Sequence, residues 1–227
     1  MASELRSLFV TGTDTGVGKT LVSAALLHAL AARGRRVVGM KPVAAGLVRR
    51  GEAWVSEDVL ALRAASTVAV PPELDNPVAL PDALSPHLAA ARAGRHITVA
   101  ELLASQRALQ GWADVVLVEG AGGWRVPLND RETLADLAAT MAAPVVLVVG
   151  LRLGCLNHAL LTAEAIRADG LHLAGWVANR ITPDMACVDE NIATLRQRLA
   201  APLLGVLPWL GNTPDARAVV LQLPEDW

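Results

Sequence analysis

The chain's 227 residues are 53% apolar and 19% charged, with 20 basic side chains against 22 acidic ones and a formal net charge of −2. That balance excludes intrinsic disorder and allows a substantial buried core. It also lacks the positive field of a protein that binds nucleic-acid backbones.

Among the 20 basic residues only Lys19 and Lys41 are lysine, and the rest are arginine. Both lysines are therefore candidates for work that a planar guanidinium does badly. Tyr is absent and Phe9 is the one Phe, so the core is aliphatic with six Trp, and no aromatic platform for stacking bases is available. Cys155 and Cys187 form no CxxC pair and no metal spacing, which reads as two reduced thiols. Arg6 leads at once into a strand, so no signal peptide is expected. The longest apolar run, Ala142 to Leu151, is too short to span a bilayer and contains Pro144. The expectation is a cytoplasmic protein without membrane or nucleic-acid partners.

In chain order, strands are expected at Ser7–Val10, Val37–Met40, Val115–Val118, Val145–Val149, Leu173–Ala178 and Leu203–Leu207. Their continuous Val/Leu runs suit strands buried on both faces of a parallel sheet. Helices are expected at Thr20–Arg33, Asp58–Ala65, from Thr98 to near Gly111, and at Thr133–Met141, Asn157–Ala168 and Asp184–Leu199. Thr98 with Glu101 reads as a capping box, and Gly34 and Gly170 as stops. The segment Ala44 to Leu84, with four prolines from Pro71 to Pro81, is expected to hold one short helix and loops over the sheet edge. The rhythm predicts one α/β domain over residues 1–227, with a doubly wound, mostly parallel sheet flanked by helices. Ligands of such folds collect at the carboxyl ends of the strands.

The strongest local signal is Gly12-Thr13-Asp14-Thr15-Gly16-Val17-Gly18-Lys19-Thr20, between a strand and a helix. Glycines let backbone N–H groups turn toward phosphate oxygens, and the helix start adds partial positive charge. Lys19 would reach the phosphates and the Thr20 hydroxyl would meet Mg²⁺. The strict G-x-x-x-x-G-K-[ST] pattern is not met, because Thr13 occupies its first place. Asp14 stands where a partition-type ATPase carries a second lysine.

Three further positions end strands. Lys41, in Lys41-Pro42-Val43-Ala44-Ala45, would point its ammonium into the phosphate site. Glu119, followed by Gly120, Ala121 and Gly122, takes the strand-end acidic place near Mg²⁺. Asn179 offers an amide that could pair with a purine edge. Asp58 is a second carboxylate for the metal or, equally, a first-turn acid interacting with its helix dipole. Gly154, Cys155 and Asn157 open a helix, which is either an anion site or plain helix initiation. No Ser/His/Asp or Cys/His constellation emerges.

Six motifs then stand in order: GTDTGVGKT (12–20), KPVA (41–44), VEGAGGW (118–124), LGCLNHA (153–159), GWVAN (175–179) and PWL (208–210). Together they resemble the dethiobiotin synthetase family across nearly the whole chain. The resemblance implies a P-loop fold and a homodimer. It implies ATP- and Mg²⁺-dependent carboxylation of 7,8-diaminononanoate with CO₂, through a carbamate and a carbamic–phosphoric anhydride, to a cyclic urea in biotin synthesis. It also implies roles. Gly16, Val17, Gly18, Lys19 and Thr20 hold the phosphates, and Thr20, Asp58 and Glu119 serve Mg²⁺. Thr15 and Lys41 flank the carbamate and the moving phosphoryl. Glu119 to Gly122 lie between nucleotide and diamine, and Asn179, Arg180, Pro208, Trp209 and Leu210 frame the adenine. Gly154, Cys155 and Asn157 take the substrate's distal carboxylate from the partner subunit. Three positions depart from the family pattern: Ala45 where a hydroxyl can lie near the diamine, Asn191 where a partner Tyr can hold the carboxylate, and Arg180 where an Asp can occur.

Two other classes share the P-loop. A nucleotide-switched ATPase acting on a protein partner would respond to a macromolecule. A simple kinase would release a stable phosphorylated product without needing CO₂.

Overall fold

The structure is a computed structural model that describes residues 5–211 and 215–227. In chain order it runs β1 (Ser7–Gly12), α1 (Lys19–Ala32), β2 (Val37–Met40), β3 (Val43–Ala45), β4 (Val48–Arg50), β5 (Ala53–Val55), α2 (Glu57–Ala65), α3 (Pro72–Asp75), β6 (Val78–Leu80), α4 (Pro86–Arg92) and α5 (Val99–Leu109). It continues with β7 (Val115–Glu119), α6 (Leu134–Met141), β8 (Val145–Leu151), α7 (Cys155–Ala168), β9 (Leu173–Arg180), α8 (Val188–Arg198) and β10 (Leu203–Leu207), then a 3-10 turn at Ala216–Ala218.

Six strands form one sheet in the order β10-β9-β8-β1-β7-β2, every pairing parallel. These are the six strands expected from the Val/Leu runs. Four extend further at their carboxyl ends: β1 to Gly12, β7 to Glu119, β8 to Leu151 and β9 to Arg180. The extension matters because Glu119 is thereby held by the sheet rather than by a loop.

Side chains alternate between two cores. Leu8, Val10, Val115 and Leu117 pack with Val22, Leu26, Leu27 and Leu30 of α1. Phe9, Val116 and Val118 pack on the opposite face with residues of α5, α6 and α7 such as Leu102, Leu137 and Ile166. The connections leaving β1 and β7, neighbours in the sheet, therefore turn to opposite faces. A crevice opens between their carboxyl ends, which is where a doubly wound sheet binds ligands.

The stretch from Ala44 to Leu84 is more ordered than expected. Besides α2 it contains the β4–β5 hairpin, the short helix α3, and β6, which pairs in parallel with β3 through Val43↔Val78 and Ala45↔Leu80. Three-residue strands are too short to display an alternation, so only tertiary pairing reveals them. Helix α7 starts at Cys155 rather than Asn157, and α8 starts at Val188 rather than Asp184. The α8 start is set by Cys187 in the left-handed region (φ 53), a place without a glycine to announce it. Among the described residues no helix is long and apolar enough to cross a membrane.

Candidate active site

The loop from Asp14 to Gly18 turns between β1 and α1 with Gly16 (φ 74) and Gly18 (φ 88) both left-handed. Gly18 is required on steric grounds as well. A Cβ there would lie 2.2 Å from Asn179 Nδ2, which donates to Val17 O at 2.9 Å. Asn179 thus uses one of its two N–H donors to hold the loop from β9, and retains the other with its amide oxygen. Asp14 accepts from Thr15 N–H at 2.7 Å and pairs with Arg152 at the end of β8. The Thr15 hydrogen bond, the largest influence, together with the Arg152 charge holds the Asp14 carboxyl below its ordinary range, although burial acts the other way. Lys19 curls back over the loop, its Nζ donating to Asp14 O at 3.0 Å.

Around this loop stands a charge network. Lys41, 4% exposed, places Nζ 2.6 Å from Glu119 Oε1, 2.9 Å from Asp58 Oδ2 and 3.3 Å from Gly120 O. Its three donors therefore meet three acceptors. Burial alone would favour the neutral amine, but the Glu119 and Asp58 carboxylates outweigh it and hold Lys41 above its usual range. Lys19 has the opposite balance. Its burial and the neighbouring Lys41 charge push it down to about 8 despite Glu119, Asp58 and Asp14.

Thr20 Oγ1 lies 2.7 Å from Asp58 Oδ1 and 2.9 Å from Glu119 Oε1. One hydroxyl proton serves only one of these acceptors at a time. Glu119 is fully buried, and its Oε2 has no hydrogen-bond partner. A buried carboxylate oxygen without a donor is costly unless a cation or ligand meets it. Desolvation opposes ionisation of Asp58, yet Lys41, Thr20 and Lys19 together hold it below its ordinary range. Among the described residues no three His, Cys, Asp or Glu side chains gather into a protein-only metal cage. Two carboxylates and a hydroxyl beside a phosphate loop instead fit Mg²⁺, which is typically shared between one or two carboxylates and substrate phosphates.

These groups line a cleft of about 850 Å³ with Thr15, Gly16, Gly18 and Gly122. Gly122 (φ 64) brings its backbone close to Thr15; a Cβ there would sit 3.6 Å from the Thr15 hydroxyl. The loop after β7 is pinned by Trp124, packed edge-on against Phe9 at 6.0 Å and donating to Asp169 at 2.7 Å. Ala45 and Ala121 line the same cleft, and so do Leu84, Ser85 and Pro86 at the start of α4. That last wall was not read from the sequence. Ser85 directly before Pro86 is the helix-start signal that points to it.

Arg180 follows Asn179 at the end of β9, and its Nε is buried without a partner. Pro208, Trp209 and Leu210 follow β10, where Leu207 is in register with Asn179. Neither these residues and Asn179 nor the remaining expected ones line the cleft. Cys155 is buried, its N–H donating to Arg152 O at 3.0 Å, and His158 N–H closes the first α7 bond on Gly154 O. This leaves the N–H groups of Leu156 and Asn157 at that helix start, so Cys155 contributes no free donor of its own. Asn191 Nδ2 is used locally, donating to Cys187 O at 2.6 Å.

A family model described as an AAA domain matches residues 6–217. Curated relatives named ATP-dependent dethiobiotin synthetase BioD match nearly end to end. The protein from Aromatoleum aromaticum is 53% identical over 98% of this chain and 99% of its own length. That from Cellvibrio japonicus is 53% identical over 96% of both chains, and that from Marinobacter nauticus 52% identical over 92% and 91%. Among solved structures, the septum site-determining protein MinD from Pyrococcus horikoshii, complexed with Mg-ADP, superposes with a TM-score of 0.55 at 18% identity, covering 90% of this chain and 81% of that one. The signal recognition particle receptor FtsY from Elizabethkingia anophelis gives 0.54 at 18% identity, covering 96% of this chain and 63% of that one. At that identity the structural likeness concerns the fold alone.

Proposed function

Since the chain belongs to the ATP-dependent dethiobiotin synthetase family, we propose that it closes a cyclic urea on 7,8-diaminononanoate, using CO₂, ATP and Mg²⁺. The observation that carries this reading is the buried Lys41 ammonium, held between Glu119 and Asp58 at the mouth of the phosphate loop.

A neutral amine of the diamine forms an N–C bond to CO₂ and loses a proton, giving a carbamate. A carbamate oxygen takes the γ-phosphoryl of ATP, and ADP leaves. The second amine attacks the carbonyl carbon and gives up a proton, the C–O bond to phosphate breaks, phosphate leaves, and the ring closes. No protein nucleophile is needed, so the work is positioning and charge stabilisation. The backbone from Gly16 to Gly18, with Lys19, cradles the phosphates. Lys41 offsets charge on the phosphoryl in transit, and Thr15 with Gly122 orients the carbamate. Thr20, Asp58 and Glu119 would hold Mg²⁺, which when bound neutralises phosphate charge. Asn179, Arg180, Pro208, Trp209 and Leu210 bound the base. Ala45 presents a methyl group to the cleft, so this wall packs against the diamine without a side-chain hydrogen bond.

The reading extends to a homodimer, in which the start of α7 in a second copy, from Gly154 to Asn157, with Asn191 nearby, meets the substrate's distal carboxylate. In support, Leu153, in the turn before α7, is 98% exposed and Leu161, on α7, 56% exposed, apolar side chains that a second copy would cover. Light scattering should return twice the chain mass; a monomer at working concentration would remove the shared site. We take the whole chain, residues 1–227, as one cytoplasmic unit. Phosphate release from Mg-ATP that requires both diamine and bicarbonate tests the activity. Release provoked instead by a macromolecule would favour the switch class.

A further inference from the structure

Lys41 is held by something other than the sheet. The pairing of β2 with β7 stops at Met40↔Val118, and β2 is the edge of the sheet, so no ladder reaches the Lys41 backbone. Both of its backbone groups go instead to the carboxyl end of α3. Lys41 N–H donates to Asp75 O at 2.8 Å, and Asn76 Nδ2 donates to Lys41 O at 2.7 Å. The same amide also reaches Val78 O at 3.2 Å, which ties that helix end into β6.

Asp75 is in turn clamped from α2. Its side chain is 3% exposed and accepts two hydrogen bonds of 2.6 Å, from Arg63 Nε and Nη2. Arg63 Nη2 also reaches Pro72 O at 3.3 Å. A parallel fork of this kind fixes orientation as well as distance, which a lysine ammonium does not. Arg63 lies on α2, the helix that supplies Asp58 from its first turn. One chain of contacts therefore runs from the helix of Asp58, through Arg63, Asp75 and Asn76, to the backbone of Lys41. It closes where Lys41 Nζ meets Asp58 Oδ2 at 2.9 Å.

We propose that Arg63, Asp75 and Asn76 are positioning residues, a brace that sets the Lys41 ammonium against Asp58 and Glu119. This rests on the catalytic reading of Lys41 given above. None of the three lines the cleft, so their effect passes through Lys41 and α2. The brace suits a group whose charge must sit at one place in a transition state, since misplacement by about 1 Å can cost on the order of 10²-fold in rate.

The test uses the full chain and the variants Arg63→Ala, Arg63→Lys, Asp75→Asn and Asn76→Ala. Turnover of Arg63→Ala and Asp75→Asn should fall about 10- to 100-fold, with Mg-ATP affinity within about threefold of the parent. Arg63→Lys should recover part of that loss. Asn76→Ala leaves the Arg63–Asp75 clamp intact and serves if the others do not fold. A second readout needs no activity. With lysine carrying ¹³C at Cε, the chain has two side-chain signals, and the Lys41 signal should sharpen in the variants and move by more than the Lys19 signal does. Parent-like turnover in folded variants, equal losses of turnover and ATP affinity, or an unmoved Lys41 signal would each overturn the brace. A parent chain inactive on the diamine would defeat the functional reading, and the lysine spectrum would still decide the positioning claim.

Discussion

Lys41 Nζ sits 2.6 Å from Glu119 Oε1, and both side chains are buried where β2 and β7 end side by side. Such a pair survives burial because Asp58 Oδ2 and Gly120 O satisfy the other two ammonium donors. With Thr20 on the same Glu119 oxygen, the network joins the start of α1 to both carboxylates and to the Lys41 ammonium.

Lys41→Ala removes that cation and leaves the phosphate loop intact. Product formation should fall at least about 10³-fold while Mg-ATP still binds. Calorimetric titration of ATP beside a product assay separates the two effects. Near-normal turnover would take Lys41 out of the mechanism.

Lys19, at about 8 in the free protein, gives nucleotide binding a pH dependence. Below that value the ammonium is already present; above it the group is neutral until phosphate restores the proton. ATP affinity should therefore weaken as pH rises through about 8, with net proton uptake on binding. Titrations in buffers of different ionisation enthalpy measure the uptake. Lys19→Arg should abolish it, because a guanidinium does not titrate there. The stability sign follows from the same depression. The unfolded chain binds the extra proton between about 8 and the ordinary lysine value, so this group's destabilising contribution shrinks as pH rises through that window.

Glu119→Gln keeps the shape of the side chain but removes the charge that faces Lys41 and Thr20. The concentration of Mg²⁺ needed for half-maximal activity should rise about 10- to 100-fold. A magnesium titration of activity checks this, and an unchanged requirement would place the metal elsewhere.

Gly18→Ala puts a Cβ against Asn179 Nδ2 at a backbone φ of 88. It should cost about 1–3 kcal/mol in stability and weaken ATP binding, because the Asn179 bond to Val17 O is lost along with the loop conformation. Thermal unfolding and nucleotide titration read the two effects.

The parts of the site that were legible in the sequence are those with local chemical signatures. Gly16, Gly18 and Lys19 announce a phosphate loop by type and spacing, and Lys41 stands out because lysine is scarce in this chain. Glu119 was legible as the end of an apolar run. The role of Asp75 and Asn76 was not, since a four-residue helix shows no periodicity and the groups it serves lie more than thirty positions away. Asn179 was legible as a strand-end amide for a purine edge; its further contact with Val17 O joins positions 162 apart in the chain and was not. The three-residue strands β3 and β6 and the left-handed Cys187 carry no local pattern for the same reason: tertiary contacts decide them.

Fixation of labelled bicarbonate into an acid-stable product, with Mg²⁺ and ATP and with or without 7,8-diaminononanoate, tests the central claim most directly. The account predicts label retained only when diamine, Mg²⁺ and ATP are all present. Label that is never retained while ATP binds normally, or product that forms without bicarbonate, would contradict it.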